Sequence, residues 1–183
     1  AVPICFAPQT IGPFNTRIGR AVAKRELNKL SGLFVRDGWS YKCCSNLGLK
    51  VPVQQVIDVA FALPYEKRSL LLNGKLNVGL NVSGLLYNGG YDHKNYFGLS
   101  FSYRDFIRQV VERLIGNDDV LVHLGPHVSA EGGGEGGVDD DYSVCRDLRY
   151  RYPSLILPDP FNSASEAKSY ISSMDFFSGA RMH

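Results

Sequence analysis

Apolar residues alternate along this chain between short runs of strand length and stretches with helical spacing. Residues 2–7 form a short apolar run that reads as a buried strand, closed by Pro8-Gln9-Thr10-Ile11-Gly12-Pro13. Over residues 15–30, Ile18, Ala21, Val22, Leu27 and Leu30 recur near helical spacing with lysines and arginines between them. Gly32 follows as a C-cap. Residues 33–35 read as another buried strand. Residues 39–47 suit a helix closed by Gly48, with Asp37 or Ser40 as its N-terminal cap. Val56 and Ile57 make a third short strand ending at Asp58. This β-α-β-α-β rhythm predicts an α/β unit, a parallel sheet with helices on its faces.

The rhythm breaks at Pro64. Residues 65–73 are charged, with a possible helical turn over 65–72, and read as a linker between a first unit (1–64) and a second (74–183). In the second unit, residues 76–82 predict a strand ending in Ser83-Gly84. A strongly amphipathic helix follows over 103–115, where Phe106, Ile107, Val110, Val111 and Leu114 share one face. Residues 120–124 read as the next strand, running into Gly125-Pro126-His127. Residues 129–141 are glycine-rich and acidic, which predicts a mobile loop. A helix over 142–150, a strand over 154–157, a helix over 163–172 with Ser163 and Glu166 as a capping box, and a strand over 174–177 complete the pattern.

Composition narrows the function classes. With 183 residues, 44% hydrophobic and 21% charged, the chain has the make-up of a soluble globular protein. A net charge of +2 implies no polyanion-binding field, so no nucleic-acid role is expected. No apolar run approaches the roughly 20 residues that span a bilayer. The four cysteines (Cys5, Cys43, Cys44, Cys145) show no CxxC spacing, which favours reduced thiols in a cytoplasmic protein.

Chemistry is expected where strands end. Ser83-Gly84, Pro126-His127, Pro158-Asp159 and Gly179-Ala180-Arg181 each follow a strand of the second unit, and in a parallel sheet these ends share one edge. Arg181 suits a phosphate or carboxylate, and His127 and His183 can move a proton. His123, inside a strand, reads as a packed histidine, and His93 as an exposed one. Asp139, Asp140 and Asp141 can bind a cation or start a helix; the latter is the commoner use of such a run. Residues 132–137 lack the lysine and serine or threonine of a phosphate loop, and no nucleophile elbow or zinc helix is present. The residues demand no metal.

The chain resembles the polysaccharide pyruvyl transferase family. The matching residues are Ala7-Pro8-Gln9-Thr10-Ile11-Gly12-Pro13-Phe14, Val35-Arg36-Asp37 with Trp39-Ser40, and Asp58-Val59-Ala60. They continue with Asn81-Val82-Ser83-Gly84-Leu85, Val122 through Pro126-His127, Ser165-Glu166 with Lys168, and Phe177-Ser178-Gly179-Ala180-Arg181-Met182-His183. Each motif is short, but their ordered succession covers nearly the whole chain.

The resemblance implies two Rossmann-like units with parallel sheets, like those of the GT-B glycosyltransferases, facing across a cleft. Both units would be incomplete here, as in part of a longer protein. It also implies transfer of the pyruvyl group of phosphoenolpyruvate onto two hydroxyls of an exopolysaccharide or cell-wall sugar, giving a cyclic ketal. Phosphoenolpyruvate is then a co-substrate and no cofactor is needed. The acceptor is a saccharide that a lipid can carry, met in the cytoplasm or at the inner face of the membrane. Carried onto this chain, Arg181 and Met182 bind the donor, with Ser83, Gly84 and Glu166 beside them and Arg68 as a second arginine by position. His127 or His183 is the general acid. Gln9, Thr10 and Asp37 face the acceptor. The alternatives are a nucleotide-sugar glycosyltransferase of the same fold and a non-catalytic sugar- or anion-binding module.

Overall fold

A computed structural model describes residues 2–67, 74–94, 97–129 and 137–180. The chain divides into two compact units, Ala1–Leu63 and Pro64–His183. It is mixed α/β, with two small parallel sheets and six α-helices among the described residues, consistent with Rossmann-like units.

The first unit pairs β1 (Cys5–Gln9), β2 (Gly32–Val35) and β3 (Val53–Gln55) in that order, all parallel. Helices α1 (Arg17–Leu27) and α2 (Gly38–Leu47) make the connections. Thr16 opens α1 by accepting the Gly19 amide, and Asp37 opens α2 by accepting the Ser40 amide. Gly48 closes α2 at φ 60°, a left-handed conformation that a side chain would strain. Leu27, Leu33, Val35, Cys44 and Leu47 join Ile11 and Val51 in a buried apolar core.

Three details differ from the sequence pattern. Gly32 opens β2 and is not a C-cap; Asn28 closes α1, donating its amide to the Lys24 and Glu26 carbonyls. β1 is an edge strand with alternating exposed and half-buried residues, not a buried one, and Pro8 sits where its register shifts between Phe6 and Gln9. A residue with no N–H fits only such a place. The third strand is Val53–Gln55, not Val56–Ile57: two glutamines conceal it from a hydrophobicity pattern, while Ile57 is exposed.

In the second unit, β4 (Leu76–Asn81) lies between β5 (Val120–Leu124) and β6 (Phe176–Gly179), all parallel. Ile156 bridges His123 on the outer side of β5. The chain therefore steps outward from β4 to β5 to Ile156, then returns to lay β6 against the other side of β4. That reversal makes the gap between the β4 and β6 tips a topological switch point, where open α/β sheets bind ligands. The strand expected over 154–157 is reduced to the one bridging residue. The last strand runs two residues later than its apolar run, because Gly179 still pairs with Asn81.

Helices cover both faces of this sheet. On one, Leu80, Val82, Val122 and Leu124 pack with Ile107 and Val111 of α4 (Tyr103–Ile115) and with Val144, Cys145 and Leu148 of α5 (Asp141–Arg151). On the other lies α6 (Ala164–Ile171), capped by Ser163. A short helix, α3 (Gly84–Tyr87), and a single 3-10 turn, Val59–Ala62, were hidden in the sequence pattern. Residues 64–67 carry no helix, and the rest of the turn expected over 65–72 lies outside the described residues. So does most of the glycine-rich stretch over 129–141. The cysteines carry free thiols, and burial pushes those of Cys44 and Cys145 above their ordinary pKa.

His123 holds the α6 face together. It is buried, with Nε2 3.1 Å from Asn77 Oδ1 and Nδ1 2.7 Å from Tyr170 Oη. The amide oxygen of Asn77 can only accept, so Nε2 carries the proton and Nδ1 accepts from the tyrosine. Asp175 completes the chain by accepting the Asn77 backbone amide at 2.8 Å. Burial lowers the His123 pKa and raises that of Tyr170 to about 12. The unfolded chain protonates this histidine below about pH 6.5 while the folded chain resists, so acid favours unfolding. Stability is expected to fall as pH drops below about 6.5, and His123→Gln is expected to flatten that slope; unfolding midpoints across this range measure both.

Candidate functional site

A buried carboxylate ties the strand tips of the second unit. Asp141, the first residue of α5, is fully buried. Its Oδ1 accepts the Gly84 amide at 2.7 Å, just beyond β4. Its Oδ2 accepts the amides of His127 (3.2 Å) and Val128 (3.1 Å), just beyond β5. Water is excluded there, so these charge-assisted bonds are what make burial of the carboxylate tolerable. Asp140 caps the same helix through the Tyr142 and Ser143 amides. Among the described residues no group of three or more His, Cys, Asp or Glu could hold a metal ion.

The remaining tips are drawn in by backbone contacts. Asn81 donates its side-chain amide to Gly125 O at 2.9 Å, and the Gly125 amide donates to Leu80 O. The Ala180 amide reaches Asn81 O at 3.4 Å. Gly84 permits the approach of α5: a Cβ there would lie 2.5 Å from Asp140 O.

The expected site residues divide accordingly. His127 is exposed at the β5 tip, its backbone fixed by Asp141. Ser83 is buried at the β4 tip; its hydroxyl caps α3 through the Leu86 amide, and its own amide donates to Tyr103 Oη. The Gly84 amide is engaged by Asp141, so Gly84 contributes close approach rather than a spare donor. Glu166 accepts both the backbone and side-chain amides of Asn162, and it lines a shallow cleft with Pro64, Tyr65, Glu66, Ser165 and Ser169. Arg68, Arg181, Met182 and His183 lie outside the described residues. His123 is a packed histidine, not part of this edge.

The first unit gathers its own polar cluster at the strand tips. Arg36 donates Nε–H to Thr10 Oγ1 (2.9 Å) and Nη1–H to Asp58 Oδ2 (2.6 Å). Thr10 donates its hydroxyl hydrogen bond to Asp37 Oδ2 at 3.3 Å. The Ser40 amide, followed by the hydroxyls of Ser40 and Thr10, holds the Asp37 carboxyl below the usual carboxylate range. Gln9 ends β1, its carbonyl accepting the Arg36 amide. Beside this cluster Trp39 is 84% exposed on the first turn of α2. Sequence reasoning missed the roles of Arg36, Asp58, Trp39 and Asp141. The first three lie within the quoted motifs. Asp141 was readable only as one aspartate more than a helix cap needs.

A model of the family described as polysaccharide pyruvyl transferase matches residues 2–183. The chain belongs to that family. No curated protein and no solved structure matches the chain. Family membership makes the protein an enzyme of this kind and implies a saccharide acceptor. In this pyruvyl transferase no helix among the described residues is long and apolar enough to cross a membrane.

Asp141→Asn replaces one accepting oxygen by an NH2 that faces amide donors. It is expected to cost roughly 2–4 kcal/mol of stability, measured by denaturant unfolding of the second unit's core.

Proposed function

We propose that this polysaccharide pyruvyl transferase uses phosphoenolpyruvate as donor and forms a cyclic ketal on a sugar of an exopolysaccharide or cell-wall glycan. The observation that carries this reading is the switch-point edge itself. An exposed histidine, His127, stands at the β5 tip of the edge where Ala180, the residue before Arg181 in the sequence, is bonded to Asn81.

The residue types meet the demands of the reaction. The donor brings a phosphate and a carboxylate, which guanidinium groups bind in a planar, bidentate way. Arg181 takes this role with Met182 beside it, and Arg68 is the second arginine. Ser83, Gly84 and Glu166 border the donor. His127 or His183 gives a proton to the methylene carbon, leaving oxocarbenium character at the neighbouring carbon. One sugar hydroxyl attacks that carbon and loses its proton. Phosphate departs with the electrons of its C–O bond, and a second hydroxyl attacks the same carbon and loses its proton to the phosphate, closing the ketal. In the first unit, Gln9, Thr10 and Asp37 offer donors and acceptors for saccharide hydroxyls, and the exposed indole of Trp39 offers a stacking surface.

Full-length protein supplied with phosphoenolpyruvate and saccharide should release inorganic phosphate; release of nucleoside diphosphate from a sugar nucleotide instead would overturn this reading. His127→Gln should lower kcat by about 10²–10⁴-fold if His127 is the acid, with the KM for phosphoenolpyruvate little changed. Because arginine neutralises the donor, a chelator should leave the turnover number where it was, which a phosphate-release assay with and without chelator reads directly.

A further inference from the structure

An arginine-bearing groove lies beyond α3 in the second unit. The end of α3, residues 88–89, His93, residues 99–102 and the first turns of α4 enclose an open groove of about 760 Å³. Two arginines one helical turn apart face it. Arg104 rests its guanidinium on the Tyr87 ring, 5.0 Å from the centroid, and has no carboxylate partner among the described residues. Stacking uses the face of a guanidinium and leaves its N–H edges to bind oxygen. Arg108 reaches Asp105 only at 3.8 Å, and its Nε is closed off from solvent without a hydrogen-bond partner among the described residues. The shielded nitrogen is out of a ligand's reach, but the Arg108 side chain is 33% exposed, and an oxyanion can meet the exposed part of its guanidinium.

Three further features shape the groove's preference. His93 donates Nδ1–H to Asn88 O at 2.9 Å, so Nε2 is the nitrogen left to accept from a hydroxyl. The positive end of α4, a helix of 13 residues, adds to the same potential, opposed by the one carboxylate of its first turn, Asp105, which also lines the groove. Phe101, half exposed and packed edge-on against Phe106, gives an apolar wall beside the serines at 100 and 102. Phosphate alone needs no aromatic wall, and an unphosphorylated sugar needs no arginine pair. The geometry points to a binding site for a phosphorylated saccharide, with its phosphoryl group on Arg104 and Arg108 and its ring against Phe101. This deepens the reading of the protein as a sugar-modifying transferase, and rests on that reading for its use in catalysis.

Calorimetric titration of the full-length protein with α-D-glucose 1-phosphate, glucose, inorganic phosphate and phosphoenolpyruvate tests the site. Glucose 1-phosphate is expected to bind more tightly than glucose or phosphate. Arg104→Gln and Arg108→Gln are each expected to weaken it about tenfold or more, with phosphoenolpyruvate binding unchanged. Arg104 is exposed, so that variant keeps its unfolding midpoint and tests the site even if Arg108→Gln folds poorly. Unchanged affinity in the Arg104 variant, or phosphate binding as tightly as glucose 1-phosphate, overturns the proposal. Glucose 1-phosphate binding without any turnover of phosphoenolpyruvate leaves the groove standing and removes the transfer reaction. Turnover without glucose 1-phosphate binding does the reverse.

Discussion

The edge of the second unit depends on one buried negative charge. Asp141 sits where α5 begins, and a carboxylate at a helix start is favoured by the helix dipole. Its two oxygens collect amides from segments that β4 and β5 deliver independently. Backbone amides in loops normally turn to water; here they turn inward to one acceptor. The loops after β4 and β5 are thereby held at a fixed separation. For the proposed donor, with its two anionic groups, such rigidity sets the orientation that proton delivery to one carbon requires.

Strand order supplies the second constraint. Placing β6 beside β4 rather than beyond Ile156 brings the chain's last described residues against the tip of the central strand. Small side chains make the close fit possible: Phe177 covers Gly79 and packs near Gly125, and Gly179 lies against Asn81. The polar residues Asn77, Asn81 and His123 share this face, and each is hydrogen-bonded, so the face is closed without an apolar core. The opposite face carries the aliphatic core with α4 and α5. The sheet thus has one aliphatic face and one hydrogen-bonded polar face.

Much of this was legible in residue patterns. α4 was readable to the residue because its apolar face repeats without interruption, and α2 because Asp37 and Gly48 mark both ends. β3 was not, since two glutamines break the apolar signal that marks buried strands. The end of β6 was displaced because Gly179 looks like a turn residue; parallel pairing with Asn81, a contact remote in sequence, keeps it extended. The same limit applies to the site. Motifs placed His127, Ser83 and Gly84 on strand ends, since strand ends are local. That Asp141 would join two of those ends, or that Arg36 would span Thr10 and Asp58, depends on tertiary contacts that no local spacing encodes.

His123 and His127 differ in what the strand leaves them free to do. The two are four residues apart, one inside β5 and one just past it. His123 has both ring nitrogens committed, and burial disfavours its charged form. A general acid must be protonated before each cycle and reprotonated after it, so a group that resists charge and lacks access to solvent cannot cycle. His127 meets the access requirement, exposed at the strand tip with a backbone that Asp141 keeps in place. One strand therefore leads from a packed histidine whose charged form burial disfavours to a second that stands exposed to solvent. The change from one to the other happens where the strand leaves the sheet, at Gly125 and Pro126.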